Sequence, residues 1–302
     1  MGILRRALLI ANPASRRGGR FVASAREAIE KAGMSCEVMQ TERTGHAGEI
    51  AAAYGRGYDL VFTLGGDGTA MEVAGALAGS GVVIGVLPGG TGNLLARALG
   101  IPRNIPNAVN LLARGDVRQI DLGEVFGHRF AVAAGVGIDA TMVAETPAWL
   151  KRRLGVLAYT IIATWAALRA VLLRHFFLVR IQVNGETIER RAAAVLFANF
   201  GAILEDRISF GPGILVDDGL LDCCVFSPAH LWDAMRIMWR VTRRDFRPDR
   251  ALLYRQGTHF RIETDPVQQL QADGELLGDT PAEITVQPLA AHMLIPARRP
   301  QR

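Results

Sequence analysis

Two glycine-rich turns hold the residues best suited to chemistry, Leu64-Gly65-Gly66-Asp67-Gly68-Thr69 and Pro88-Gly89-Gly90-Thr91-Gly92-Asn93. Each follows an apolar run of strand character, Asp59 to Leu64 and Val82 to Leu87. Each precedes a helix-compatible run, Ala70 to Ala78 and Leu94 to Leu99. Glycine permits close backbone approach and positive φ there, and free N–H groups at a helix start attract an anion. Asp67 is the single acid inside the first turn, where it could hold a metal beside a phosphate. The pair predicts a nucleotide-phosphate site. Two purely structural glycine turns are the plainer alternative, and the pairing is more specific than either motif alone.

The elements that must position these turns alternate between strand and helix. Ala7 to Ala11 is a buried strand ended by Asn12-Pro13-Ala14-Ser15 and the basic Arg16-Arg17-Gly18-Gly19-Arg20. A helix is expected from about Phe21 to Ala32, closed by Gly33. A second strand spans Cys36 to Gln40, and a polar loop from Thr41 to Ala47 leads to a helix ending near Tyr54. Such alternation predicts a parallel α/β sheet, whose ligand sites lie at the strand carboxyl ends. Asn12, Ser15, Thr41, Asp67, Thr69 and Thr91 all fall at those ends.

After Arg114-Gly115-Asp116 the pattern changes. Gln119 to Glu124, Arg129 to Ala134, Phe177 to Val183, Ala192 to Ala198, Leu221 to Phe226, His259 to Glu263, Gln268 to Ala272 and Ala282 to Gln287 have strand character. Short turns such as Val183-Asn184-Gly185 separate many of them, which predicts an antiparallel sandwich or barrel. Two helical inserts interrupt it, from about Trp149 to Arg174 and from about Pro228 to Arg243. The second puts Leu231, Met235, Met238 and Trp239 on roughly one face. Either insert could lie on a lipid surface with its arginines near headgroups, or simply cover the core. The expected domains are residues 1–122, a nucleotide-phosphate-binding α/β domain, and residues 123–302, a β-sandwich, with the last residues free to return to the first.

The chain of 302 residues, half apolar and 21% charged, is globular. Its net charge of +5 comes almost wholly from arginine, since Lys31 and Lys151 are the only lysines. That charge suits an anionic partner without selecting one. The arginines are dispersed and no aromatic-interleaved basic strip occurs, which speaks against nucleic acid. Three cysteines, Cys36, Cys223 and Cys224, form neither a metal spacing nor a disulfide framework, as in a reducing cytoplasm. The apolar uncharged segment Leu154 to Leu168 falls short of the ~20 residues that span a bilayer. A cytoplasmic protein, peripheral on the membrane at most, is expected. Oligomeric state is open, and a homodimer is compatible with the sequence.

Asn12-Pro13-Ala14-Ser15, the two glycine turns, Asp218-Gly219-Leu220-Leu221-Asp222 and Asp273-Gly274-Glu275 occur in that order. This ordered set resembles the diacylglycerol kinase catalytic-domain family, which includes bacterial soluble lipid kinases and the sphingosine and ceramide kinases. The similarity runs from Leu8 to about Val286. It implies an NAD-kinase-like α/β domain followed by a β-sandwich, with ATP bound in a cleft between them and its γ-phosphoryl passed to a lipid hydroxyl.

The resemblance implies ATP contacts at Thr41, at Gly65, Gly66, Asp67, Gly68, Thr69, Ala70 and Met71, and at Thr91, with Asn12 and Gly90 beside them. No Walker-type lysine is present, so charge neutralisation would fall to magnesium, with an arginine such as Arg16, Arg17 or Arg20. Glu275 matches the family's proton acceptor. Taken alone, Asp273-Gly274-Glu275 is a hairpin turn. Asp67 and Asp121 match two acids of a carboxylate–water–magnesium network, the oxygen-only ligation magnesium prefers. The third acid of that network is absent, because Asn93 is followed by Leu94. A second, structural metal site maps to Asp218 and the carbonyls of Leu215 and Leu220. Taken alone, Asp218 caps a turn, and Thr41 is a helix N-cap.

Three functions follow. An ATP-dependent lipid kinase acting on a diacylglycerol-like or sphingoid lipid at the membrane surface agrees with the whole motif set. A soluble NAD-kinase-like or small-metabolite kinase would share the first glycine motif, but here Asn93 is followed by Leu94 and not by the acid of an Asn-Glu motif. A non-catalytic lipid- or nucleotide-binding module is kept alive by Leu94.

Overall fold

The computed structural model describes residues 5–15, 18–137, 176–203, 208–209, 213–243, 245, 247 and 249–297. The helical insert expected over 149–174, together with Arg16 and Arg17, lies outside the described residues. The chain divides into two compact units, residues 1–120 with 289–302, and residues 121–288.

The first unit is built on four parallel strands in the order β2-β1-β3-β4. These are β1 (Arg5–Ala11), β2 (Met34–Gln40), β3 (Leu60–Gly65) and β4 (Val83–Pro88). Leu8, Leu9, Ile10, Phe62, Leu64 and Leu87 are fully buried, as expected for a sheet covered on both faces. Helices α1 (Gly18–Lys31), α2 (His46–Tyr54), α3 (Asp67–Ala76), α4 (Leu94–Ala98) and α5 (Ile105–Ala113) complete it, α1 packing on α5 and α2 on α3. Helix α5 has no counterpart in the sequence-based expectation, although Asn104 caps it through a 3.0 Å bond to the Asn107 amide.

The second unit is an antiparallel sandwich. Its strands are β5 (Asp116–Val125), β6 (His128–Phe130), β7 (Ala133–Gly137), β8 (Phe177–Val183), β9 (Glu186–Ala192) and β10 (Ala194–Ala198). The short pair β11 (Ala202–Ile203) and β12 (Ile208–Ser209) follows, then β13 (Leu221–Phe226), the helix α6 (Leu231–Thr242), β14 (Leu252–Gly257), β15 (His259–Asp265), β16 (Gln269–Ala272), β17 (Glu275–Asp279) and β18 (Ala282–Ile295). One sheet runs β14-β13-β10-β7-β16-β17. It packs on strands β8 and β15, with the Phe197 and Phe260 rings edge to face at 5.1 Å. Along β8 the residues alternate, with Phe177, Val179, Ile181 and Val183 inward and Arg180 outward. The Asn184-Gly185 turn, with positive φ at both residues, joins β8 to β9 as a hairpin.

The expected strand from Arg129 to Ala134 is instead two strands, β6 and β7. The amides of Ala131, Val132 and Ala133 turn away from any ladder to the Asp273 carboxylate. Strand β9 escaped the sequence reading because Glu-Thr-Ile-Glu-Arg-Arg-Ala buries only Ile188 and Ala192. Strand β18 continues past Gln287. Its residues 282–285 pair with β15, while His292 and Met293 pair in parallel with Val83 and Ile84 of β4. Among the described residues no helix is long and apolar enough to cross a membrane.

Candidate active site

Strand register collects the first group of residues. Ala11 lies beside Gln40 on one side and Leu64 on the other, and Gly65 lies beside Pro88. Asn12, Thr41, Gly66 and Gly89 therefore leave the sheet along one edge, the carboxyl end. The Thr41 amide donates to the Ala11 carbonyl at 2.9 Å and the Asn12 amide to Leu64 at 2.9 Å. Asn12 holds its own turn, its Oδ1 accepting the amides of Ala14 and Ser15, and its Nδ2 donates to Thr69 Oγ1 at 3.1 Å. Helix α2 begins at His46 behind Gly45, so Thr41 is not its N-cap.

The two glycine turns pack backbone on backbone. The Gly89 amide donates to the Gly65 carbonyl at 2.7 Å, and a Cβ on Gly90 would lie 2.5 Å from the Gly66 Cα. Only glycine fits there. Asn93, at φ 50°, closes the second turn by accepting the Gly90 amide and donating to the Gly90 carbonyl, both at 2.9 Å. Helix α3 starts behind Gly66 with no side-chain cap, and its first turn is Asp67-Gly68-Thr69. First-turn amides have no partner within a helix and suit a phosphate oxygen. The Ala70 amide is different, because it donates to the Gly66 carbonyl. Gly68 and Met71 are half-buried, and Thr91 is exposed in the second turn.

Asp67 joins the turns, its Oδ1 accepting the Leu95 amide at 3.1 Å. Burial pushes its carboxyl above the ordinary value, against the amides of Leu95, Leu94 and Asn93 and the Arg97 guanidinium. Its negative form is thus under-compensated by the protein, which suits a divalent cation nearby. Glu72, one and a half turns further along the same helix, was missed from the sequence. Its two oxygens accept the amides of Gly45 at 2.9 Å and Ala47 at 3.0 Å and so hold the loop after Thr41. A lone carboxylate on an otherwise apolar helix face was the available signal.

The second group lies in the other unit. Asp121 is fully buried, and its Oδ2 accepts the Gly219 amide at 2.7 Å while its own amide donates to Val216 at 2.7 Å. Asn199, also buried and also missed, donates from Nδ2 to the carbonyls of Asp121 and Ala131, both at 2.8 Å. Asp121 thereby clamps the loop 215–220, and Asn199 ties Asp121 to Ala131. Within that loop Asp218 is exposed and accepts the Leu220 amide at 3.0 Å, a turn-capping bond, and Leu215 is exposed. Nearby Asp222 is pushed up to about 6 by burial, with Asp218 adding to the shift, and its Oδ2 is buried without a hydrogen-bond partner among the described residues. A cation held by Asp218 and the Leu215 and Leu220 carbonyls would fit that excess of negative charge. The described residues hold no cluster of three or more His, Cys, Asp or Glu side chains, so a metal in either unit would lean on carbonyls and water.

Glu275 is exposed and opens β17, facing Ala272 across the β16–β17 hairpin. Asp273 and Gly274, at φ 47° and 93°, form the two-residue turn. Asp273 anchors it. Its carboxylate accepts three amides, from Ala131 at 2.7 Å, Val132 at 2.9 Å and Ala133 at 3.0 Å, and buried Gln271 accepts the Gly274 amide at 2.9 Å. The pinned turn fixes the backbone that presents the Glu275 carboxylate to solvent, as a positioned base requires. The hairpin reading of Asp273-Gly274-Glu275 therefore holds alongside any chemical role of Glu275.

Comparison with known proteins assigns both halves of the chain. Residues 6–125 match the diacylglycerol kinase catalytic domain, and residues 131–295 match the YegS C-terminal NAD kinase beta sandwich-like domain. A diacylglycerol kinase of Bacillus subtilis is 29% identical over 309 residues, covering 99% of each chain. One from Staphylococcus aureus is 29% identical over 286 residues, 92% of this chain and 88% of that one. An uncharacterised Synechocystis protein is 30% identical over 247 residues, and the chain spans only 56% of its length. A crystal structure of a Bacillus anthracis diacylglycerol kinase superposes with a TM-score of 0.74 over 98% of each chain at 22% identity, a likeness of fold.

Proposed function

The chain belongs to the diacylglycerol kinase family, carrying its catalytic and C-terminal sandwich domains in order, and from that membership we propose that it is an ATP-dependent lipid kinase. It transfers the γ-phosphoryl of ATP to the hydroxyl of a diacylglycerol-like or sphingoid lipid. The observation that carries this reading is the stacked pair of glycine turns beside the uncapped start of α3. Amides of Gly66, Gly68 and Thr69 and the Thr69 and Thr91 hydroxyls bind the phosphates, and Arg97 lends positive charge in place of a Walker lysine. Glu275 takes the proton from the lipid hydroxyl as its oxygen bonds to the γ-phosphorus and the bond to ADP breaks. Asp67 and Asp121 are the carboxylates that would hold magnesium, which would supply neutralisation of phosphate charge.

The test is incubation of purified protein with labelled ATP and a total lipid extract, followed by identification of the lipid that gains phosphate. Glu275→Gln is expected to lower turnover by about 10²–10⁴-fold, the usual range for a positioned base. Leu94, where the resemblance leads to an acid, favours a second reading, a binding module without catalysis. Equal ATP consumption by wild type, Asp67→Ala and Glu275→Gln would establish it. Formation of a phosphorylated dinucleotide with no lipid product would instead favour an NAD-kinase-like enzyme.

A further inference from the structure

Helix α6 turns large apolar side chains outward. Trp232, Met235 and Trp239 are 76%, 48% and 60% exposed, and their spacing of three and four puts them on one face. Asp233, Ala234 and Ile237 are buried on the opposite side. This inverts the ordinary rule, a charged residue inside and two tryptophans outside. Leu231, expected to share the Met235 face, is half-buried, and the Met238 side chain lies outside the described residues.

The charges around this face are sorted by sign. The Asp233 carboxylate, 2% exposed, accepts the amides of Ala229 and His230 and pairs with Arg236 and Arg250. Asp249, 7% exposed, pairs with Arg236 and Arg240. The Asp233 and Asp249 carboxylates are thus withdrawn, and Asp245 is held between Arg240 and Arg247, while the Arg247 and Arg250 side chains are largely exposed and the Arg243 guanidinium lies over the Trp239 ring at 4.2 Å. Amphipathic tryptophans rimmed by arginine match the chemistry of an anionic bilayer interface, apolar rings entering the headgroup boundary and guanidinium groups meeting phosphates.

We propose that the Trp232–Met235–Trp239 face of α6 docks the protein on an anionic lipid surface. The proposal rests on the lipid-kinase reading for its purpose only, and docking is measured without nucleotide. A second copy of the chain is a poorer occupant, since the same arginine-rimmed face would meet itself with like charge.

The test is co-sedimentation with vesicles of phosphatidylcholine alone or mixed with phosphatidylglycerol. Wild type is expected to bind the mixed vesicles, more weakly at high salt, and not the neutral ones. Trp232→Ala/Trp239→Ala is expected to weaken binding at least about tenfold with an unchanged circular dichroism spectrum. Arg243→Glu weakens it without removing apolar surface, and Val267→Ala, an exposed apolar residue elsewhere, leaves it unchanged. Wild-type strength in the double variant overturns the proposal, as does absence of vesicle binding by wild type. So does a wild-type dimer that the double variant converts to monomer, which would assign the face to a second copy. A protein that binds vesicles through α6 but phosphorylates no lipid would sink the proposed function and leave docking intact. One that phosphorylates lipid while the tryptophan variants bind unchanged would do the reverse.

Discussion

Replacing Asp273 by asparagine isolates the anchor of the hairpin that carries Glu275. In the native protein Oδ2 accepts the Ala131 amide and Oδ1 those of Val132 and Ala133, three residues that are all buried. An asparagine oxygen can keep the pair at Oδ1, but its NH₂ group then points at the Ala131 N–H. One charge-assisted bond is lost, a donor faces a donor, and the two remaining bonds become neutral ones. A hydrogen bond to a charged acceptor contributes about 1.5–3 kcal/mol, and an orphaned buried donor costs about 1–3 kcal/mol. A loss of about 3–5 kcal/mol follows, a large part of the 5–15 kcal/mol of a typical domain. Urea unfolding should show a midpoint lower by on the order of 1–2 M with little change in slope. Because the Asp273 carboxylate is taken up by three backbone amides, the same variant should lower kcat by misplacing Glu275 while KM for ATP stays put. Stability within about 0.5 kcal/mol of wild type, the range of ordinary surface changes, would refute the account of this anchor.

Gly90→Ala drives a methyl group to 2.5 Å from the Gly66 Cα, a backbone atom that no rotamer change can move. The turns must part, and titration calorimetry should find ATP binding weakened at least about tenfold, or about 1.4 kcal/mol; unaltered affinity would exclude the stacked turns as the phosphate site. The α6 anchor is expected to depend on acid. Burial opposes ionisation of Asp249, but the Ala251 amide and Arg236 outweigh it, and its carboxyl is held below the ordinary 3.8. A depressed carboxyl contributes stability above its unfolded value and loses it as pH falls through the folded one. Stability from this site should therefore be constant from pH 7 to 5 and fall below about pH 4. Asp249→Asn should lose about 1–2 kcal/mol at pH 7, discounted for the solvent-exposed Arg236, and show a shallower acid limb in urea midpoints taken across that range.

Local pattern carried much of the fold into the open. The two-residue alternation of Phe177 to Val183, the apolar runs of β1, β3 and β4, and the Asn184-Gly185 and Asp273-Gly274 turns each depend on neighbours in sequence. The same holds for the glycines at the ends of β3 and β4, whose need for backbone space is written into their type. Strand β9 and helix α5 were not legible, the first because its charged residues bury so little, the second because no expected element claimed it.

What the sequence determined by itself was an α/β half followed by an antiparallel sandwich, and a candidate set that a motif order could assemble. Only the tertiary structure decided which partners those residues take. Asp273 reaches amides 140 to 142 positions away, Glu72 holds a loop 25 to 27 positions before it, and Asp67 bridges two turns rather than standing free in one. It also decided which side of α6 is core, turning Asp233 in and Trp232 out. The physical reason is common to all four. A helical or strand period tells which residues share a face, but burial, strand register and the satisfaction of distant backbone amides choose what that face meets.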